Sequence, residues 1–377
     1  MLAGDVWHLE IPIFAEMSAG DVASHPINPD NPPMNPLTKC STYIISIVFW
    51  MLGAGSFSSP ALADAPHTLQ APYRIGISQI VEHPALDAVR LGMLAALKEA
   101  GYGAGENLNV HYENAQGNMA TATQIATQLV SEPLDVLVGI STPAAQTLLY
   151  AAKKNQKEIP IVFAAVSDPL SAKLEPRESH YPMTGITDVP NLEVLRDLMH
   201  GMVPHLKTVG FIYNASEANS VATLERFQKL WQVLNIKVVT VTVNKTSEVA
   251  QGMQSLIGKV DAVYFPQDNT VVSAIKTVVN IAAANEAGQH GKALPLFCSD
   301  PLLVAEGVLG AVGYDYTEVG KETGLVVARL LKGEAIETIP IHSPLKLKTV
   351  VNRSVAKHFG LPEMVDIEYI DTVRSRS

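Results

Sequence analysis

From Tyr73 onward, short apolar runs alternate with amphipathic stretches. Residues 73–80 (YRIGISQI) predict a strand. Residues 83–101 carry Leu86, Val89, Met93, Leu94 and Leu97 at helical spacing, and Gly101 ends the run. The same logic predicts strands at 108–112, 134–140 and 159–166, with helices at 119–131 and 142–154 between them. Thr142-Pro143 opens the last of these helices, with Pro in its first turn. After Gly185 the pattern restarts. Helices are predicted at 192–202, 220–234, 247–257 and 271–287. Strands are predicted at 208–213, 238–243, 261–265 and 295–298. A glycine-rich strand (307–314), a helix (319–331), a strand (345–351) and a short helix ending near Phe359 complete the chain.

Strands alternating with helices at this spacing give parallel sheets covered on both faces. Two such series predict an α/β protein of two doubly wound, Rossmann-like lobes joined by a hinge. The boundaries read as 72–186 plus about 310–337 for lobe one, and 187–309 plus about 338–370 for lobe two. Gly313-Tyr314-Asp315 reads as a crossing between them.

The first 63 residues read differently. A polar, Pro-rich stretch precedes Lys39, the apolar run 43–55 (YIISIVFWMLGAG) and Ala61-Leu62-Ala63. That order is a secretory signal peptide with cleavage after Ala63, and Met34 is the better start. The apolar run falls short of the ~20 residues of a membrane span. Cys40 precedes the apolar run, so a lipid anchor is not expected. Five of the 37 acidic and one of the 27 basic residues lie before Asp64, so the remaining chain keeps a net charge of −6. With no basic block, nucleic acid is excluded as a partner. Apolar residues make up 47% of the chain, enough for a sizeable core, which excludes a disordered protein. Two cysteines, Cys40 and Cys298, exclude a disulfide scaffold or a thiolate zinc cluster.

The chemistry gathers where the strands end. These ends read Ser78-Gln79, Ser141-Thr142-Pro143, Ser167-Asp168-Pro169, Asn214 to Ser220, Gln267-Asp268-Asn269-Thr270, Ser299-Asp300-Pro301 and Tyr314-Asp315-Tyr316. Taken singly, such residues are ordinary helix caps, worth ~1 kcal/mol each. Taken together, they face the cleft that open α/β sheets use for ligands. Helix N-termini there suit a carboxylate. Asp168, Glu217, Asp268 and Asp300 offer acceptors to an ammonium group. The combination predicts a zwitterionic ligand such as an amino acid.

Six motifs carry a resemblance. They are residues 79–87 (QIVEHPALD), 139–146 (GISTPAAQ), 166–169 (VSDP), 185–188 (GITD), 214–220 (NASEANS) and 268–270 (DNT). Over residues 72–365 the chain resembles bacterial ABC-transporter substrate-binding proteins, in the family with tryptophan- and tyrosine-type members. The resemblance implies a type I-like periplasmic-binding-protein fold, no catalysis and no cofactor. It also implies a periplasmic, monomeric protein that delivers a solute to a permease and its ATPase. Aromatic amino acids (Trp, Tyr, Phe) are the ligands it suggests. It assigns ligand contacts to Gln79, Ser141, Thr142 and Asp168 in lobe one. In lobe two it assigns them to Asn214, Glu217, Asn219, Ser220, Asp268, Asn269 and Asp300. Ser141 and Thr142 would hold the carboxylate, and one of Asp168, Glu217 or Asp268 the ammonium. Tyr102, Tyr112, Tyr181, Tyr213, Tyr264, Tyr314 and Tyr316 are candidates to stack on an aromatic ligand, and Tyr314, at the crossing, is the one to test.

Two other readings stay open: a ligand-sensing module for a receptor, and an enzyme on the same scaffold. The scattered histidines show no metal-ligand spacing, and no GxSxG is present. A DNA-binding regulator is excluded by the leader and the lack of a helix-turn-helix. Gly101-x-Gly103-x-Gly105 follows a helix, not a strand, so it reads as a turn rather than a phosphate loop. His83 reads as a structural helix-start residue, and Trp231 as core.

Overall fold

The computed structural model describes residues 72–284, 294–361, 363 and 367–370. The leader and its cleavage site lie outside the described residues, as does the end of the helix predicted to reach residue 287. Lobe one interleaves β1 (Tyr73–Gln79), α1 (Pro84–Glu99), β2 (Leu108–Asn114), α2 (Met119–Ser131), β3 (Val136–Ile140), α3 (Thr142–Lys154), β4 (Ile161–Val166), the short α4 (Pro176–Ser179) and β5 (Met183–Thr187). Its five strands pair in the order β2-β1-β3-β4-β5, all parallel. The sequence pattern missed β5, a short strand with Gly185 at its centre. All five of its residues are nevertheless buried.

Lobe two begins with α5 (Leu192–Met202), β6 (Thr208–Asn214), α6 (Ala218–Gln232), β7 (Lys237–Val243), α7 (Val249–Leu256) and β8 (Ala262–Phe265). It continues through α8 (Asn269–Val272), α9 (Ile275–Ala284), β9 (Leu296–Cys298) and β10 (Gly310–Tyr314). The chain then crosses to lobe one for α10 (Tyr316–Leu331). It returns for β11 (Leu347–Asn352), α11 (Arg353–His358) and β12 (Glu368–Ile370). The second sheet runs β12-β11-β10-β9-β8-β6-β7.

Three expectations change here. β10 belongs to the second sheet, so the crossing back falls at Asp315 rather than near 310. Residues around 339–342 still belong with lobe one: Thr184 Oγ1 donates to Ile339 O at 2.7 Å, and Thr187 N to His342 O at 2.8 Å. The second return therefore follows His342 rather than 337. The second sheet is also not wholly parallel, because β10 and β11 are antiparallel. The cause is the route of the chain. β10 leaves lobe two at its cleft end and β11 re-enters there, so Tyr314 pairs with Leu347 at the crossing.

Each sheet is sandwiched between helices. One core surrounds the first sheet and takes in Tyr316, Val319, Val326 and Val327 from α10. α10 reaches that core by lying tight on α1. A Cβ on Gly320 would come within 2.2 Å of Val89 O, and one on Gly92 within 2.5 Å of Thr317 O, so both positions exclude a side chain. Lobe two has a core on each face of its sheet. In one of them Phe227 stacks on Tyr264 at 4.8 Å and packs against fully buried Trp231, the core position expected of that tryptophan. Gly101 and Gly105 both have positive φ (93° and 79°), as a helix-ending turn requires. Among the described residues no helix is long and apolar enough to cross a membrane.

Candidate functional site

Strand ends of both lobes meet around a cavity of about 20 Å³. Its wall takes His83, Ala85 and Leu86 from the start of α1, Thr142 from α3 and Ala165 from β4. Lobe two contributes Asn219, Gln267, Asn269, Val272 and Asp300, and the crossings contribute Asp188 and Tyr316. Five helices begin at its wall: α1, α3 and α6 have no side-chain cap, whereas α8 and α10 are capped by Asp268 and Asp315. The first turns of α1, α3 and α6 thus keep free N–H groups and the positive end of their dipoles.

The backbone beside the cavity is strained. Ser141 sits at φ 89°, ψ 160°, a region that is essentially glycine-only. Ala165 has φ 54°, at the register shift where β4 bends against β5. Such costs persist where the surrounding fold imposes them, which is common at ligand clamps.

Unpartnered polar atoms gather in the same place. Gln79 Oε1, His83 Nδ1, Ser141 Oγ, Asn219 Oδ1, Gln267 Oε1 and Asp300 Oδ2 are buried and find no partner among the described residues. A buried polar group normally has one, so each marks an unmet demand. Asp188 is better supplied: Ser167 Oγ and Tyr316 OH each donate to it at 2.8 Å. Gln267 Nε2 donates to its backbone carbonyl at 2.7 Å, tying lobe two to the crossing. Burial pushes the Asp188 carboxyl above the usual range. Burial, with Asp188 nearby, pushes Asp300 up to about 7. The site holds two buried acids, and the cavity wall carries no lysine or arginine.

The structure divides the residues expected at the site. Thr142, Asn219, Asn269 and Asp300 line the cavity. Gln79 and Ser141 are buried at the adjoining strand and helix ends, each with an unpartnered oxygen. Glu217, Asp268, Asn214 and Ser220 instead form a closed network within lobe two. Glu217 accepts from the backbone N–H and side chain of Asn269 and of Thr270 at 2.6–3.0 Å. Asp268 accepts from Asn214 N, Ser220 Oγ and Val271 N. Asn214 Oδ1 accepts from Ser216 N and Oγ, and its Nδ2 donates to Thr270 Oγ1. Burial raises the Glu217 carboxyl, and Asp268 beside it adds to the effect.

Asp168 does not line the cavity. Both of its oxygens are taken by Ser171, at 2.9 and 3.0 Å, so it holds its own turn together. Tyr314 packs half-buried against the lobe-one core, and Tyr316, two residues on, lines the cavity instead. His83, read from sequence as structural, stands on the cavity wall. Asp188 was missed because β5 was missed; strand recognition there would have flagged it by the same rule as the others. Gln267 stood in the strand-end run but went unselected beside the more conspicuous Asp268.

Comparison with known proteins adds the family. Residues 74–368 match the family described as ABC transporter substrate binding protein. The chain belongs to that family. This binding protein is 33% identical over 301 residues to a tyrosine-binding protein of Clostridioides difficile, covering 78% of this chain and 84% of the relative. It resembles an ABC domain from Streptococcus pneumonia in complex with L-Trp, at 29% identity and TM-score 0.73, covering 79% of this chain and all of that one. It also resembles the ligand-free, open structure of a Clostridium difficile substrate-binding protein, at 33% identity and TM-score 0.59, covering 80% and 100%. Sequence identity is higher to the open structure, yet the shape agrees better with the Trp complex.

Proposed function

We propose that this protein captures an aromatic amino acid between its lobes in the periplasm and hands it to an ABC permease driven by an ATPase. The observation that carries the reading is the polarity of the cavity. Uncapped helix N-termini with Ser141 and Thr142 would take the ligand carboxylate, and the Asp188–Asp300 pair its ammonium. Ala85, Leu86 and Val272 supply an apolar wall for the side chain. The tyrosine-binding and L-Trp-bound relatives support the aromatic class. A cavity of about 20 Å³ is smaller than any amino acid, so the ligand enters with the lobes parted. They would rotate about the crossings after β5, at Asp315 and after His342, and the closed form would be the one the permease reads. The periplasmic location rests on the leader read in the sequence.

The test is thermal unfolding of residues 64–377, first unfolded and refolded to strip carried-over solute, against the twenty amino acids. Ligand at 100 times its Kd adds ~2.7 kcal/mol. Stabilisation by Trp, Tyr or Phe is the expected result. No shift with any amino acid would remove this ligand class.

A further inference from the structure

The cavity wall carries two kinds of chemistry. Asp188 is tied to Tyr316 and Gln267 and lies near Asp300. His83 and Asn269 line the same cavity. Asn269 commits its Nδ2 to Glu217 at 2.6 Å, so its amide oxygen is the atom it can turn toward the imidazole. With the ring proton on Nε2, Nδ1 is a bare acceptor. Nδ1 is buried without a partner, and although His83 precedes α1, its side chain does not cap that helix. Burial also lowers the His83 pKa to about 4, so the ring is neutral near pH 7.

We propose that His83 reads the ring of the ligand: its Nδ1 accepts a hydrogen bond from the indole N–H of tryptophan or the phenol O–H of tyrosine, and so disfavours phenylalanine. The proposal rests on the aromatic amino-acid reading above and deepens it. An apolar slot alone separates such ligands weakly. A buried acceptor left bare by the wrong ligand separates them strongly, because the missing bond leaves the full desolvation cost uncompensated.

The experiment is calorimetric titration of the refolded protein with Trp, Tyr and Phe, for wild type, His83→Leu and His83→Asn. Melting curves establish that each variant is folded. Wild type is expected to favour Trp or Tyr over Phe by at least ~100-fold. His83→Leu removes the acceptor and should bring that ratio below ~10, with Phe affinity held or raised. His83→Asn places an amide oxygen near the Nδ1 position and should restore part of the preference. Equal binding of Phe by wild type, or an unchanged ratio in His83→Leu, overturns the role of His83 and leaves the amino-acid reading standing. Failure of all three ligands to bind wild type overturns both. The choice between Trp and Tyr identifies which donor the histidine meets.

Discussion

Two pairs of buried acids sit within this molecule and behave in opposite ways. Glu217 and Asp268 are saturated. Backbone amides, hydroxyls and a side-chain amide of their own lobe fill their lone pairs. Asp188 and Asp300 also lie buried, but Asp300 keeps an oxygen without a partner beside an acid of the same sign. From the sequence, Glu217 and Asp268 looked like the better ligands. The difference teaches that burial of an acid does not by itself point to a ligand; the proposed site rests on the acid whose valence the fold leaves open. A saturated acid is framework, here bracing the first turn of α8 against the end of β6.

The sharpest way to break this contrast is Glu217→Ala. Four donors on Asn269 and Thr270 lose their acceptor, two of them backbone N–H groups. The expected loss is about 4 kcal/mol of stability, from several buried hydrogen bonds removed at once and their donors left unpaired. At this chain length that is a fall in Tm of roughly 10 °C by calorimetry. A loss below about 1 kcal/mol would erase the distinction between framework and site.

Asp300→Asn should do the reverse, sparing the fold and damaging the proposed ammonium site. Amino-acid affinity is expected to fall by about 2–4 kcal/mol, roughly 30- to 1,000-fold, as for a desolvated charge pair cut on one side. The pH dependence carries a definite sign. With its folded pKa raised to about 7, Asp300 favours the folded state at low pH, and that contribution is lost as the pH rises through 7. The ligand ammonium needs the carboxylate, so affinity should rise from pH 5 to 8 with proton release on binding. Asp300→Asn should flatten both trends; titrations in buffers of different ionisation enthalpy read them. Unchanged affinity in this variant would move the ammonium site elsewhere.

The smallest effect belongs to Asp168→Ala. The residue stabilises its own turn, so about 1 kcal/mol of stability is expected to go. Affinity for the amino acid should stay within about twofold, well under the 1.4 kcal/mol of a tenfold change. A larger loss would bring Asp168 back to the site and weaken the rule that saturated acids are framework.

Much of this was legible in the chain. Hydrophobic periodicity located nearly every helix and strand, because burial against a neighbouring layer imposes a period of two or of 3.6 on any sequence that folds this way. The strand-end rule collected Thr142, Asn219, Asn269 and Asp300 before any coordinates. It also collected Asp168, Asn214, Glu217, Ser220 and Asp268, which hydrogen-bond within their own lobe and do not line the cavity. A cap and a ligand contact need the same residue types, so composition alone cannot separate them. β5 and β12 were missed for want of length, and Asp188 went unseen with β5.

What the sequence determined by itself was the alternation of strands and helices, the two-lobed class and the band of polar strand ends. Local propensity and periodicity are properties of neighbouring residues, so they are written in order along the chain. The tertiary structure decided which lobe each C-terminal segment joins, that β11 runs against β10, and which acids are left with open valence. Those outcomes depend on partners more than a hundred residues apart, such as Tyr316 on Asp188 and Ile339 on Thr184. Only the folded chain brings such groups within hydrogen-bond reach.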